Sequence, residues 1–318
     1  FGSAVRRFFE RVQPRMLVLM ETELWPNLIA EAHQRGVPVI LVNGRLSARS
    51  AAGYGRVAGL TRPMLSRLSD LACQSSEHAE RFIALGANAA TTHALGSVKY
   101  DVTKPDGFAE AVARLRVEFG IGERLVWVAA STHPGEDELV LQAYRQVREH
   151  VPDLCLILVP RHPVRTQSVC ELVTAAGFSA SCQSERRHEQ AATDVIIGDV
   201  MGTLLYLYGL ADVAFVGGSF VELGGHNPLE PALCRLPIIS GPHQFNFTQV
   251  MQDLEAKGGL QTVESAAQLA DTLIVLLQND AHRQRAGAAA AATLDENRGA
   301  TDRVLALLRS RIATAVAQ

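Results

Sequence analysis

The chain reads Gly-Gly-Ser-Phe-Val-Glu-Leu-Gly-Gly-His-Asn-Pro-Leu-Glu-Pro over residues 217–231, directly after the apolar run 211–216. A short β-rich run that opens into glycines and then into a helix start is typical of parallel α/β sheets that bind phosphorylated ligands. Glycines let a backbone approach a ligand, and N–H groups at a helix N-terminus attract anions. Glu230 falls in the first turn of that helix, where a carboxylate can accept hydrogen bonds from a ribose diol. The stretch predicts a nucleotide site, although a plain strand–loop–helix turn has a similar pattern.

Short apolar runs alternate with longer amphipathic segments, such as 138–149 and 165–176. The apolar runs predict strands at residues 16–20, 39–42, 71–74, 92–95, 125–130, 154–159, 195–197, 213–216 and 238–240. This alternation predicts an α/β fold with two Rossmann-like, doubly wound parallel-sheet domains, of which the first is incomplete. The segment 103–107 is the expected linker. The first domain is therefore predicted at 1–102, and the second, with the C-terminal helices, at 103–318.

Polar residues and glycines follow these strands at their carboxyl ends. They include Glu21, Asn43, Lys99, Ser131, Arg161, Asp199 and Gly217. Open parallel sheets bind ligands beyond the carboxyl ends of their strands, so these residues are expected to share functional edges. Three histidines fall in the same loops, namely His133, His162 and His226. Each of these histidines can either support its loop or contact a ligand, and the sequence does not decide between the two roles.

The distribution of charge and the composition indicate what kind of ligand or surface the chain can bind. Residues 1–67 contain ten arginines and four glutamates, a balance of +6, although the whole chain has a net charge of −3. A basic segment suits an anionic ligand or a membrane surface, and equally a solvated face. The five cysteines are scattered, which predicts a reduced protein. No apolar run reaches the roughly 18 residues that span a bilayer.

The side chains at the strand ends suggest how a nucleotide is held. Arg161 offers a planar fork of donors for phosphate, and Lys99 offers a compact cation. Asn227 and Glu230 can hold ribose and phosphate, and the backbone around 201–203 can bond a base edge. No Asp-x-Asp motif occurs in the chain, so no metal is expected.

The chain also resembles the 3-deoxy-D-manno-octulosonic acid (Kdo) transferases of lipopolysaccharide synthesis, which are two-Rossmann-domain (GT-B) glycosyltransferases. The 217–231 string carries part of this resemblance. The other matching segments are Met20-Glu-Thr-Glu-Leu-Trp-Pro-Asn27, Val42-Asn-Gly-Arg-Leu-Ser47, Gly96-Ser-Val-Lys-Tyr-Asp101, Ala130-Ser-Thr-His-Pro-Gly-Glu136, Val159-Pro-Arg-His-Pro163, Ile197-Gly-Asp-Val-Met-Gly202 and Gly241-Pro-His-Gln-Phe-Asn246.

The resemblance implies metal-independent, inverting transfer of Kdo from CMP-Kdo to a lipid A precursor (lipid IVA). The implied place is the cytoplasmic face of the cell inner membrane, with no cofactor and no nucleic-acid partner. Glu21 and Lys99 are implied transition-state stabilisers. The implied CMP contacts are Pro160, Arg161, Met201, Gly202, Thr203, Asn227, Pro228, Leu229 and Glu230. Thr203 departs from the acidic residue expected at its position, which leaves its side-chain role open.

The resembling family has its base glutamate, a membrane anchor and half of the first domain upstream of the residue that matches Phe1. The chain is therefore expected to be a fragment that binds CMP without transferring Kdo. Two other functions stay open, a sugar-nucleotide epimerase of the same plan and a nucleotide-binding protein without catalysis. Glu21 also has an alternative role as a cap of the helix expected near Pro26.

Overall fold

The computed structural model describes residues 2–185 and 192–317, and the chain divides into two compact units. The first unit consists of Phe1–Asp101 and Asn297–Gln318, and the second of Val102–Glu296. Each unit has its own apolar core, because each folds around its own sheet.

The described part of the first unit contains a parallel sheet of four strands in the order β1-β2-β3-β4. The strands are β1 Leu17–Met20, β2 Val39–Gly44, β3 Asp70–Cys73 and β4 Thr92–Ala94. The helices are α1 Gly2–Val12, α2 Pro26–Gln34, α3 Ala48–Arg56, α4 Ala58–Leu65, α5 Ser76–Ala84 and α14 Ala300–Ala317. The strands β2 and β3 are buried along their whole length, which explains their continuous apolar sequences.

The described part of the second unit contains a parallel sheet of seven strands in the order β11-β10-β9-β5-β6-β8-β7. The strands are β5 Val126–Thr132, β6 Cys155–Pro160, β7 Ala180–Cys182, β8 Val195–Ile197, β9 Val213–Val216, β10 Ile238–Ser240 and β11 Leu260–Thr262. The helices are α6 Phe108–Glu118, α7 Glu136–His150, α8 Thr166–Ala175, α9 Leu204–Leu210, α10 Leu229–Leu233, α11 Thr248–Ala256, α12 Ala266–Gln278 and α13 Asp280–Glu296. The chain runs outward from β5 to β7 and then returns to β9. The crevice between the carboxyl ends of β5 and β9 is therefore a topological switch point, where such sheets bind ligands.

Every predicted strand is present, and the predicted α/β class with two parallel sheets is confirmed. The strands β7 and β11 were not predicted, because each is a three-residue edge strand without an apolar run. Two of the scattered cysteines meet in the second unit, because β7 brings Cys182 close to Cys170 of α8, with 3.4 Å between the two Sγ atoms.

The C-terminal helix differs from its predicted placement in the second domain, since α14 belongs to the first unit. The carboxylate of Asp101 accepts hydrogen bonds from the N–H groups of Gly299 and Thr301, both at 2.6 Å, just before and inside the first turn of α14. Further along α14, Arg311 donates to both carboxylate oxygens of the buried Asp70, at 2.6 and 2.8 Å. These contacts require residues 297–313 to pack on the first sheet.

In the described part of the chain, no helix is both long enough and apolar enough to cross a bilayer.

Candidate active site

A cavity of about 330 Å³ opens at the carboxyl edge of the second sheet. It lies where the switch-point rule expects a ligand, because its walls come from the loops that follow β5, β6, β8 and β9. Its lining comprises Ser131, Val159, Pro160, Arg161, Pro163, Gly198, Asp199, Val200, Met201, Gly202, Leu204, Leu205, Tyr208, His226, Asn227 and Glu230. This volume is within the range of small-molecule pockets.

Most residues predicted to contact CMP are brought together in this cavity. Six of the predicted residues line it, namely Pro160, Arg161, Met201, Gly202, Asn227 and Glu230. Thr203 is not part of the lining, and its hydroxyl donates to the carbonyl of Val200 at 2.8 Å just before α9. Pro228 and Leu229 are buried in the turn that begins α10. Their role toward CMP stays a prediction.

Arg161 and Glu230 are two charged residues that were predicted to contact CMP and that line the cavity. Among the described residues, none forms an ion pair with the guanidinium of Arg161 or accepts from it, and none bonds the carboxylate of Glu230. Burial raises the pKa of Glu230 above its usual range, because no nearby cation compensates for lost hydration. A cation and a carboxylate without partners in one cavity are suited to a ligand that has both an anionic group and hydroxyl donors.

The glycine-rich loop does not present its first N–H groups to the cavity. The fully buried carboxylate of Glu136 accepts from the N–H groups of Gly218, Ser219 and Phe220, at 2.7, 2.9 and 2.9 Å, and from that of His133 at 3.0 Å. These N–H groups are therefore not available to a ligand phosphate. An internal carboxylate already occupies the anion nest of the loop.

The two glycines that open the loop are needed for packing within the protein. A Cβ atom on Gly217 would lie 2.8 Å from the carbonyl oxygen of Ser131, at the end of β5. A Cβ on Gly218 would lie 2.8 Å from Cδ2 of His226, and Gly218 also has a φ of +68° that side chains disfavour. The Gly-Gly sequence thus lets β5, β9 and an imidazole ring approach one another.

A second buried carboxylate supports the loop that carries Arg161. Asp137 is fully buried, accepts from the hydroxyl of Thr132 at 2.6 Å and forms an ion pair with Arg165. The carbonyl of Thr132 in turn accepts from the N–H of Arg161 at 2.9 Å. Sequence analysis missed the roles of Glu136 and Asp137. Their position at the start of α7, among acidic residues, looks like ordinary helix-start chemistry.

The loops after β5, β6 and β9 also bring three histidines together. Nε2 of His133 lies 2.9 Å from Nε2 of His226, and the ring centroids of His133 and His162 are 5.8 Å apart. The sequence places each beside a strand end, but nothing in the spacing shows that they meet.

The first unit has a separate charged cluster at the carboxyl edge of its sheet. The carboxylate of Glu21 forms ion pairs with Lys99 at 3.1 Å and with Arg45 at 3.0 Å. Glu21 follows β1 with a φ of +55°, a conformation that is rare for side-chain-bearing residues and is often found at functional sites. The alternative role as a helix cap is wrong, because the N-cap of α2 is Trp25, which lacks a side-chain cap.

Metal coordination was predicted to be absent. In residues 2–185 and 192–317, no three His, Cys, Asp or Glu side chains are grouped so that they could hold a metal ion. Metal independence stays a prediction.

Two parallel-sheet units, one with a nucleotide-sized cavity at its switch point, define a GT-B-like glycosyltransferase. The family model "3-Deoxy-D-manno-octulosonic-acid transferase (kdotransferase)" matches residues 1–102, and "Glycosyl transferases group 1" matches residues 127–293. The chain belongs to the 3-deoxy-D-manno-octulosonic acid transferase family. It is 40% identical to the transferase of that name from Haemophilus influenzae, over 96% of this chain and 72% of the relative. Identity to the Bordetella pertussis transferase is 38%, over 96% and 71%.

Solved structures agree with this assignment. The C-terminal CMP-Kdo binding domain of WaaA from Acinetobacter baumannii is 31% identical and has a TM-score of 0.56, over 59% of this chain and 98% of that domain. A UDP-GlcNAc 2-epimerase from Neisseria meningitidis has a TM-score of 0.64 at 11% identity, over 97% and 80%, which shows a shared fold alone. The expectation that the chain is a fragment gains no support from these comparisons.

Proposed function

We propose that this protein transfers Kdo from CMP-Kdo to a lipid A precursor during lipopolysaccharide synthesis. The observation that carries the proposal is the cavity of the second unit, where Arg161 and Glu230 have no partner among the described residues. The likeness of the chain to the CMP-Kdo binding domain from Acinetobacter baumannii also supports the proposal.

Each part of the nucleotide has a suitable group in the cavity. Glu230 can accept two hydrogen bonds from the ribose diol, and Arg161 can bind the phosphate through its planar fork. The amide of Asn227 is partly committed, since its Oδ1 accepts from the N–H of Leu229 at 3.1 Å. Met201 and Gly202 supply backbone groups for a base edge.

The charged cluster of the first unit supplies the transition-state groups in this proposal. The ammonium of Lys99 would stabilise negative charge that develops in the transition state, and Glu21 would hold that ammonium in place through their 3.1 Å ion pair. Preorganised charges of this kind can lower a barrier without reorganising during the reaction.

The proposal includes the membrane surface and metal independence. We place the protein at the cytoplasmic face of the cell inner membrane, where a lipid A precursor is accessible. The arginine-rich residues 1–67 and the exposed Phe8 and Val12 of α1 support an anionic, partly apolar surface as partner. Protein cations such as Arg161 would stabilise the leaving-group charge in place of a metal ion, so activity should persist in EDTA. Loss of turnover that Mg²⁺ restores would contradict this.

The donor site can be tested by calorimetric titration with CMP. Glu230→Ala should weaken CMP binding by about 1.5–3 kcal/mol, the range for hydrogen bonds to a charged group. Glu222→Ala is the matched control, because Glu222 is exposed in the same loop. The affinity of this variant for CMP should equal that of the wild type. Unchanged CMP affinity in Glu230→Ala would refute the site, and tighter binding of UDP than of CMP would favour an epimerase.

A further inference from the structure

The three histidines beside the cavity lie on adjacent parts of one sheet edge. His133 follows β5, His162 follows β6 and His226 lies in the loop after β9, and these strands are neighbours in the order β9-β5-β6. The rings of His133 and His226 are nearly parallel, with an interplanar angle of 5°, and His162 meets His133 edge-on. His226 also lines the cavity, next to Asn227.

The contact between His133 and His226 restricts where protons can be. A distance of 2.9 Å between two Nε2 atoms is a hydrogen bond only if one nitrogen has a proton and the other has a lone pair. The two rings must therefore be opposite tautomers when both are neutral. One added proton can be accommodated on an outer Nδ1, whereas two would bring two N–H groups into contact.

The surroundings of the pair favour its neutral form. Burial lowers the pKa of His226 to about 4, with further lowering by His133, Arg161 and His162. Burial also lowers the pKa of His133, assisted by His162, Arg165 and Arg161, while Glu136 opposes the shift. Neither nearby carboxylate is available to hold a proton on the pair. Glu136 binds four backbone N–H groups and Asp137 is paired with Arg165.

An anion bound beside the pair would reverse this balance. A negative group close to an imidazole favours its charged form, so the pair would accept a proton as the anion enters. A CMP-activated sugar acid carries negative charge on its phosphate and on its carboxylate. Arg161 supplies one lasting positive charge at the cavity wall, and a protonated histidine pair would supply a second.

We infer that His133, His162 and His226 form, with Arg161, an anion subsite for an acid group of the donor, and that the His133–His226 pair takes up one proton when that group binds. The inference rests on the proposed function, because it assumes a CMP-linked sugar acid as ligand. The acid group is either the phosphate or the sugar carboxylate, and the same chemistry would bind both.

Calorimetry with three probes in two buffers of different ionisation enthalpy, at pH 7, measures the protons taken up per ligand bound. The probes are cytidine, cytidine 5′-methyl phosphate, and a phosphonate analogue of CMP-Kdo in which a methylene replaces the glycosidic oxygen. Cytidine should bind without proton uptake. Uptake approaching one proton with the methyl phosphate would assign the subsite to the phosphate, and uptake with the analogue alone would assign it to the carboxylate.

Variants test whether the histidines hold that proton. His226→Gln and His133→Gln should abolish the uptake and weaken the anionic probe about tenfold, with cytidine affinity unchanged. His150→Gln, at the exposed end of α7, is the matched control and should behave as wild type. Thermal unfolding checks that each variant is folded. The proton uptake of the wild type tests the proposal even if a variant does not fold.

If the wild type binds both anionic probes without proton uptake, the subsite is overturned. The proposed function would still stand in that case, provided that cytidine binds. Uptake that persists in both glutamine variants would also overturn the subsite. Failure of the wild type to bind any of the three probes would overturn the proposed function and the subsite together.

Discussion

The charged groups at the carboxyl edges of the two sheets are in opposite states. In the first unit, Glu21 is paired with both Arg45 and Lys99. In the second, Arg161 and Glu230 line the cavity without an ion-pair partner among the described residues. The first arrangement holds its side chains in place before any ligand arrives. The second leaves part of its electrostatic interaction to be completed by a ligand.

The same contrast appears inside the second unit. Its fully buried carboxylates, Glu136 and Asp137, are satisfied by backbone N–H groups, Thr132 and Arg165. By contrast, the guanidinium of Arg161 and the carboxylate of Glu230, which line the cavity, have no partner among the described residues. The buried carboxylates beneath the site are therefore satisfied within the protein, and ligand recognition falls to a few side chains that line the cavity.

The largest expected effect concerns the paired cluster of the first unit. Lys99→Ala should lower kcat for Kdo transfer about 10²–10³-fold, the usual loss when one preorganised group at developing charge is removed. CMP affinity should stay unchanged, because the described residues that line the cavity all belong to the second unit and Lys99 is not one of them. Steady-state transfer and calorimetry measure the two quantities. The exposed Arg49→Ala serves as control, and an equal loss in that variant would argue against a specific role for Lys99.

The buried carboxylate of the second unit should matter mainly for stability. Glu136→Gln replaces an acceptor oxygen by an NH₂ donor among four N–H groups, so at least one of them loses its partner. We expect the free energy of unfolding to fall by about 2–4 kcal/mol, measured by urea denaturation. The exposed Glu138→Gln on the same helix should be nearly neutral. If Glu136→Gln is equally mild, the carboxylate does not organise the loop.

The smallest expected effect concerns Glu230 and the dependence of protein stability on pH. Burial raises the pKa of Glu230 in the folded state, so its ionised form destabilises the fold. Glu230→Gln should therefore be more stable than wild type at pH 7, by roughly 0.5–1 kcal/mol, a common gain at functional sites. The difference should vanish as the pH falls below the ordinary glutamate pKa, where both folded and unfolded chains are protonated. Urea denaturation at several pH values checks this, and a less stable variant at pH 7 would mean that Glu230 has a hidden partner.

Sequence reasoning reached the fold and much of the site for a simple reason. Buried parallel strands are continuous apolar runs, and their carboxyl ends can be located from those runs, which brought Arg161, Gly202 and Glu230 to one edge. It failed where residues far apart in sequence meet. Glu136 is 82 residues from Gly218, and His133 is 93 residues from His226, so no local pattern reports either contact. The edge strands β7 and β11 are too short and polar for any periodicity to be visible.

The hydrogen bonds from Gly299 and Thr301 to Asp101 have a consequence for biosynthesis. They join residues that are 198 and 200 positions apart, and the whole of Val102–Glu296 is synthesised between them. On the ribosome, domains fold as units when their residues have emerged. The first unit therefore cannot complete its fold until α14 has been synthesised. The second unit is translated before α14 and can already fold. Nascent chains released before Arg311 would leave Asp70 without its guanidinium partner, and such products should be the ones that chaperones and proteases capture.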